Sequence, residues 1–375
     1  MTNENLQIDE SKERKAGWLE LFFDLVYVVI ISKIVHELSH LHDGHLQHNL
    51  FLNYLIILVP VWWLWTGHTM YANRFGIDDK LEKILTFVQM FLIIVLSMFV
   101  GAGDLQTTHL YYVSVYFLIR ICTVLLYLRG SVLYPENKKT ALIIAKIITG
   151  GALISLSGLF FLKTHLQIGV ALLYVGILFD IIVLFLCQIK YSFSAFFKEL
   201  LIERYGLLAI IILGESIVNL SRSLGGIHWN LNIALNGTLG FILLVSVWWS
   251  YFGLTGYVSD RKFLPPNVIY GHLFIYAALG FLATIIQFTI TQDIIMKDFK
   301  ILVISTMLSL LLGFFIVSIS AVEKKLRYFA KKVAILAAII AVVLLFNSYF
   351  LIIFSITSIF IYGTYIFSKS MKGVK

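Results

Sequence analysis

Charge is what this chain most lacks. Of its 375 residues only 13% are charged, and the mean hydropathy is +0.90, whereas soluble domains carry about 25% charged residues. Proline is scarce as well, with four in the whole chain, and no polar stretch is long enough to fold as a soluble domain. The two cysteines, Cys122 and Cys187, both fall within apolar runs, which argues against a disulfide framework or a thiolate metal site. Residues 1–16 contain no apolar core and no small-residue cleavage site, so they read as a cytoplasmic tail and not as a signal peptide. The net charge of +8 is spread over many short loops, which speaks against nucleic-acid binding.

Long apolar runs are abundant. They recur from Trp18 to Phe367 at the length a bilayer demands. Spans are expected near residues 18–38, 49–70, 83–102, 110–129, 140–162, 166–188, 204–223, 232–253, 267–290 and 301–320. The last run, Val333 to Phe367, would reach about 52 Å as one helix, against a hydrocarbon core of about 30 Å. A break near Asn347-Ser348 divides it into two spans. The fold class expected is therefore an all-α polytopic membrane protein of about twelve helices.

The basic residues support this count. With the N-terminus inside, 22 of the 29 lysines and arginines fall on one side, from Lys12, Arg14 and Lys15 through to Lys369, Lys372 and Lys375. The opposite side holds Lys163, Arg222, Lys297 and Lys300. Under the positive-inside rule both termini are cytoplasmic, in the cell membrane.

The chain also resembles itself. Residues 61–71, VWWLWTGHTMY, share six of eleven positions with residues 247–257, VWWSYFGLTGY, and the two tryptophan pairs use four of the seven tryptophans. Glu20 likewise matches Glu203. Six crossings separate the matched helices, so the two halves have the same orientation. This predicts two parallel six-helix repeats, residues 17–190 and 191–368, followed by a short cytoplasmic tail at 369–375. The tryptophan pairs also suit interfacial anchoring.

Ionisable residues inside spans are costly and mark partners, cavities or pathways. Asp24 in the first helix and Glu215 in the seventh are the candidates for a polar pathway or ligand site, together with Asn219, Glu20 and Tyr27. Glu20 and Glu203 lie close enough to the boundary to act as helix caps. Arg120 and Asp180 suit internal charge partners, a role also open to Lys33. Gln89 and His272 read as hydrogen-bonded packing groups.

Residues 36–48, HELSHLHDGHLQH, contain an H-E-x-x-H pattern. On one helix face it would present two zinc-binding imidazoles and a general base, but a zinc enzyme needs a third protein ligand and an open position for water. No convincing third ligand follows, so the stretch reads first as a titratable external turn. A second reading is surface binding of a transition metal by His36, His40, His42, His45 and His48.

Two segments, Trp18 to Val29 (WLELFFDLVYVV) and Glu203 to Val218 (ERYGLLAIIILGESIV), resemble the most recognisable segments of the bacterial low temperature requirement A (LtrA) family. The resemblance implies a multi-pass membrane protein linked by name to growth in the cold, and it implies no substrate and no catalytic residues. Phe22-Phe23-Asp24 is also similar to the Phe-Ser-Asp motif of a potassium-channel family built from six-helix repeats, in which the first helix of each repeat lines the pore. Here Phe23 replaces the serine, Leu25 replaces the usual glycine, and helix seven has Tyr205-Gly206-Leu207 instead. The function expected is a transporter or channel-like pathway. A membrane enzyme using the histidines and Glu37, and a non-transporting stress or assembly factor, stay open. No cofactor and no nucleic acid is expected. The expected partners are the bilayer and a small solute or ion, with a homo-oligomer left open.

Overall fold

The computed structural model describes residues 14–46, 50–76, 79–101, 105–191, 197–225, 230–259, 265–319 and 325–372. Among these residues there are twelve α-helices: α1 (Trp18–Glu37), α2 (Leu50–Arg74), α3 (Lys80–Ser97), α4 (Leu105–Leu133), α5 (Lys138–Ser157), α6 (Leu166–Tyr191), α7 (Lys198–Gly225), α8 (Leu231–Ser259), α9 (Pro265–Thr291), α10 (Met296–Ser318), α11 (Lys325–Leu345) and α12 (Tyr349–Lys372). Helices dominate because lipid offers the backbone no hydrogen-bond partners, so each span must satisfy its own. Seven of them (α2, α4, α5, α6, α8, α9 and α10) are long and apolar enough to cross a bilayer. The chain is thus a multi-pass membrane protein. Helices α1 and α7 interrupt their apolar sequences with acids and bases, while α11 and α12 carry shorter apolar segments, Val333–Leu345 and Tyr349–Tyr365. The break between α11 and α12 spans residues 346–348, where Asn347-Ser348 predicts it.

Helix α9 is the central element, with every residue from Ile275 to Ile286 buried. It packs closely on α10 because Gly271 and Gly313 face each other. A Cβ at Gly313 would lie 2.8 Å from the Gly271 carbonyl, and one at Gly271 3.1 Å from the Gly313 carbonyl. Small residues at such crossings let two backbones approach.

Seven neighbour relations among the first six helices recur six helices later, whereas α4–α6, α8–α9 and α9–α12 have no comparable counterpart. The contacts α1–α2, α1–α3, α2–α4, α2–α6, α3–α4, α4–α5 and α5–α6 have counterparts in α7–α8, α7–α9, α8–α10, α8–α12, α9–α10, α10–α11 and α11–α12. Helix α1 also packs directly on α7. Contacts between them progress from Ala16 with Glu203 to Ser32 with Glu215, so the two helices run parallel. The tryptophan pairs do not share an environment: Trp62 and Trp63 are 2% and 9% exposed, whereas Trp248 and Trp249 are 46% and 60% exposed.

Between α1 and α2 the chain forms a small antiparallel hairpin, β1 (Leu41–His42) and β2 (His45–Leu46). Its two central residues, Asp43 and Gly44, have φ of 50° and 78°. Positive φ at both positions marks a type I′ turn, for which Asp-Gly is a favoured pair. The hairpin rests on the α9–α10 connection, where the Ile295 N–H donates to the Gly44 carbonyl at 2.8 Å and Asp298 accepts from Leu46 N–H at 3.1 Å. A Cβ at Gly44 would lie 3.2 Å from the Asp293 carbonyl. Gly44→Ala is therefore expected to cost the hairpin about 1–2 kcal/mol. Hydrogen exchange should read this as faster exchange at the Ile295 amide, with the spans unchanged.

Candidate functional site

Two buried ion pairs and one polar cleft organise the interior. In the first pair, Arg204 of α7 grips Asp24 of α1 with both arms of its guanidinium: Nε donates to Oδ2 at 2.8 Å and Nη2 to Oδ1 at 2.6 Å. Trp65 Nε1 of α2 donates to the same Oδ1 at 2.7 Å. Asp24 and Arg204 are each 1% exposed. A charge so deep is tolerated when it is paired and hydrogen-bonded, and the bidentate fork is the strong form of that pairing. Glu20, one turn earlier on α1, caps its helix by accepting from the Gly17 N–H at 2.7 Å; its other oxygen lies 3.2 Å from Arg14 and 3.8 Å from Arg204. Glu203 accepts from the Ala16 N–H at 3.1 Å. Arg14 continues the closure, donating to the Ala72 carbonyl at the end of α2 at 2.7 Å. Tyr27 is buried one turn past Phe23, and its hydroxyl has no hydrogen-bond partner among the described residues.

The second pair joins Arg120 of α4 to Asp180 of α6. Trp63 Nε1 donates to Asp180 Oδ2 at 2.9 Å, and Arg120 Nη2 also donates to the Ile148 carbonyl at 2.9 Å. Trp63 and Trp65 are two residues apart on α2, about 200° around the helix, so one helix supplies an indole donor to the acid of each ion pair. Interfacial anchoring, the role expected of the Trp62-Trp63 pair, does not describe Trp63, and nothing in the sequence pattern singles out Trp65. Hydropathy sets Arg204 among the basic residues at a span boundary, which hides it as the partner of Asp24. The signal available was the unanswered buried acid, which requires a donor nearby. Gln89 and His272 are packing groups: Gln89 bonds His68 at 2.9 Å and Thr123 at 2.8 Å, and His272 bonds Tyr251 at 2.9 Å.

The cleft, about 870 Å³, lies at the hairpin end between α1, α7 and α9. Its polar lining includes Ser32, Lys33, His36, Asn219, Arg222 and Gln287. Lys33, expected to be an internal charge partner, is exposed instead and has no ion pair among the described residues. It lines the open cleft. Near the cleft base, Ser32 Oγ donates to Glu215 Oε1 at 3.1 Å, and Arg222 stands 3.9 Å from the same carboxylate. The apolar floor includes Val28, and Asp24 lies one turn below it on α1. Glu215 itself sits seventeen residues past Lys198, about 26 Å along α7, because the helix starts earlier than the apolar run suggests. It is therefore beyond the middle of α7 and level with Ser32, not with Asp24. A separate cavity of about 90 Å³ beside Arg120 is mostly apolar in lining and too small for more than a few waters.

Among the described residues the histidines do not assemble a zinc site. Helix α1 ends at Glu37, so His36 and His40 are not on one helix face, although their ring centroids are 5.0 Å apart. His42 and His45 pair across the hairpin, and His45 Nδ1 lies 3.1 Å from Asp298. Among the described residues no group of three or more histidine, cysteine, aspartate or glutamate side chains is placed to hold a metal. His48 lies outside the described residues.

The sequence model of the family described as bacterial low temperature requirement A protein (LtrA) matches residues 15–364. The chain belongs to the LtrA family. No curated protein matches it significantly. The family match embraces both the Asp24–Arg204 pair and every residue lining the cleft of this LtrA chain.

Proposed function

We propose that this LtrA-family chain moves a small solute or ion across the cell membrane by a pathway between α1, α7 and α9. The observation that carries this reading is a polar cleft at one end stacked over a sealed charge cluster at the other. Val28 in the cleft floor and Asp24 in the ion pair are one turn apart on α1. An opening on one side and a closed hydrogen-bonded seal on the other is the arrangement that alternating access requires at rest. The recurring neighbour relations of α1–α6 and α7–α12 support two parallel six-helix repeats, 17–190 and 191–368, with α1 and α7 as equivalent helices at their junction. With both termini cytoplasmic, as the basic residues suggest, the cleft opens outward. The family's name makes growth at low temperature the setting in which to look for a phenotype.

Purified protein reconstituted in liposomes tests this directly. A single cysteine at Asn219, in a background lacking Cys122 and Cys187, should react with a membrane-impermeant thiol reagent added from the outside, and its labelling should block solute flux. Absence of flux for a panel of inorganic ions and small organic acids, from a protein shown to be folded, would defeat the transport reading. A specific co-purifying protein in that case would favour an assembly role.

A further inference from the structure

The chemistry of the cleft is one-sided in its hydrogen-bonding capacity. The side-chain amide oxygens that line it are already engaged by donors within the protein. Gln287 Oε1 accepts from Ser39 Oγ at 3.0 Å and Asn219 Oδ1 faces Arg222 Nη1 at 3.5 Å; behind the lining, Glu215 Oε1 accepts from Ser32 Oγ. The amide and cationic donors are what remain. Orienting the Gln287 carbonyl toward Ser39 turns its amide nitrogen to the other side. Asn219 is 5% exposed, lines the cleft, and its Nδ2 has no hydrogen-bond partner among the described residues. Lys33 adds an ammonium without an ion pair, and Arg222, its side chain 58% exposed, presents a fork only loosely held by Glu215. His36 and His40 add ring nitrogens at the mouth. Of the acids nearby, Glu215 is at the buried base, Asp298 is engaged by the hairpin, and Asp293 at the rim accepts from Thr291 at 2.5 Å. A buried amide left as a bare donor is an unmade bond that a ligand acceptor would complete.

We infer that the cleft between α1, α7 and α9 binds a small oxyanion, a carboxylate or phosphate group, held by Arg222 and Lys33 and seated on the Asn219 amide. The guanidinium fork and the ammonium supply charge-assisted bonds to such a group. Asn219 supplies the neutral donor that fixes its depth. The volume is within the range of small-molecule sites, so the oxyanion belongs to a solute of modest size or to a lipid headgroup entering from the bilayer. This inference rests on the reading of the cleft as a solute site, and its test measures binding, not flux.

Full-length protein in nanodiscs of phosphatidylcholine would be titrated calorimetrically with inorganic phosphate and with succinate, and with choline as a cationic control. Saturable binding of phosphate or succinate is expected, at least tenfold weaker in Arg222→Gln and in Lys33→Gln. Both side chains are exposed, so the variants should melt like the parent. Asn219→Asp, which replaces the donor by a negative charge at nearly constant size, should abolish binding. Selective retention of phosphatidylglycerol, lost in Arg222→Gln, would assign the same oxyanion site to a lipid headgroup. No saturable binding of any of these anions, unaltered binding in the two charge variants, or a preference for choline would overturn the inference. Anion binding without flux would leave this site standing and remove the transport reading. Flux without anion binding would do the reverse.

Discussion

Replacing Arg204 by Met should be the most damaging single change in the protein. The variant leaves the Asp24 carboxylate with one remaining donor, Trp65, in a place that is 1% exposed. Removing one member of a buried ion pair costs about 3–5 kcal/mol, because the other charge stays behind unpaired. Asp24→Asn should be nearly as severe, since its amide can answer Trp65 but strands the guanidinium of Arg204. The combination of Arg204→Met with Asp24→Leu should recover much of the loss, because an apolar pair in this position removes the stranded charge altogether. Thermal unfolding of the parent, Arg204→Met, Asp24→Leu and the double variant in one detergent measures the coupling. A double variant no more stable than the worse single would show that the pair is not an isolated unit, and would turn attention to Glu20 and Arg14.

That pair also marks where sequence reading stops. Span number, the break at Asn347-Ser348 and the membrane class are legible because each depends on long apolar runs and on local breakers. The contact of Arg120 with Asp180 needs only the rule that intramembrane charges find each other. Arg204 is harder to see, because hydropathy places it at the start of a span, whereas α7 begins at Lys198, more than a turn earlier. A charged turn can continue the helix only because α1 and α2 supply Asp24 and Trp65, and neither partner is local in sequence. Asp43-Gly44 is a favoured pair for a two-residue hairpin turn, a local preference that competes with the helix that H-E-x-x-H requires. That pattern fails for a local reason: the helix stops between its two histidines.

Burial separates the two acids that sequence reading grouped together. Asp24 is locked in a bidentate pair, and the cleft does not reach it. Glu215 has a hydroxyl on one oxygen and an arginine 3.9 Å away that is 58% exposed, so little of its environment depends on its charge. Glu215→Gln preserves an oxygen for Ser32 and is expected to change stability by about 1 kcal/mol or less. Its effect should instead be on the cleft. Without the carboxylate, Arg222 is released toward the lumen and the local potential becomes more positive, so phosphate or succinate should bind severalfold tighter. Tighter capture in the resting state slows a transport cycle unless the moving state gains equally, because only differential binding drives a conformational change. Flux in liposomes should therefore fall while anion affinity rises and the melting temperature stays within a few degrees of the parent. Asp24→Asn should give the opposite signature, with stability lost first and any loss of flux following from it. If Glu215→Gln instead unfolds the protein as Arg204→Met does, Glu215 is a structural charge and the cleft base must be assigned to Asn219 alone.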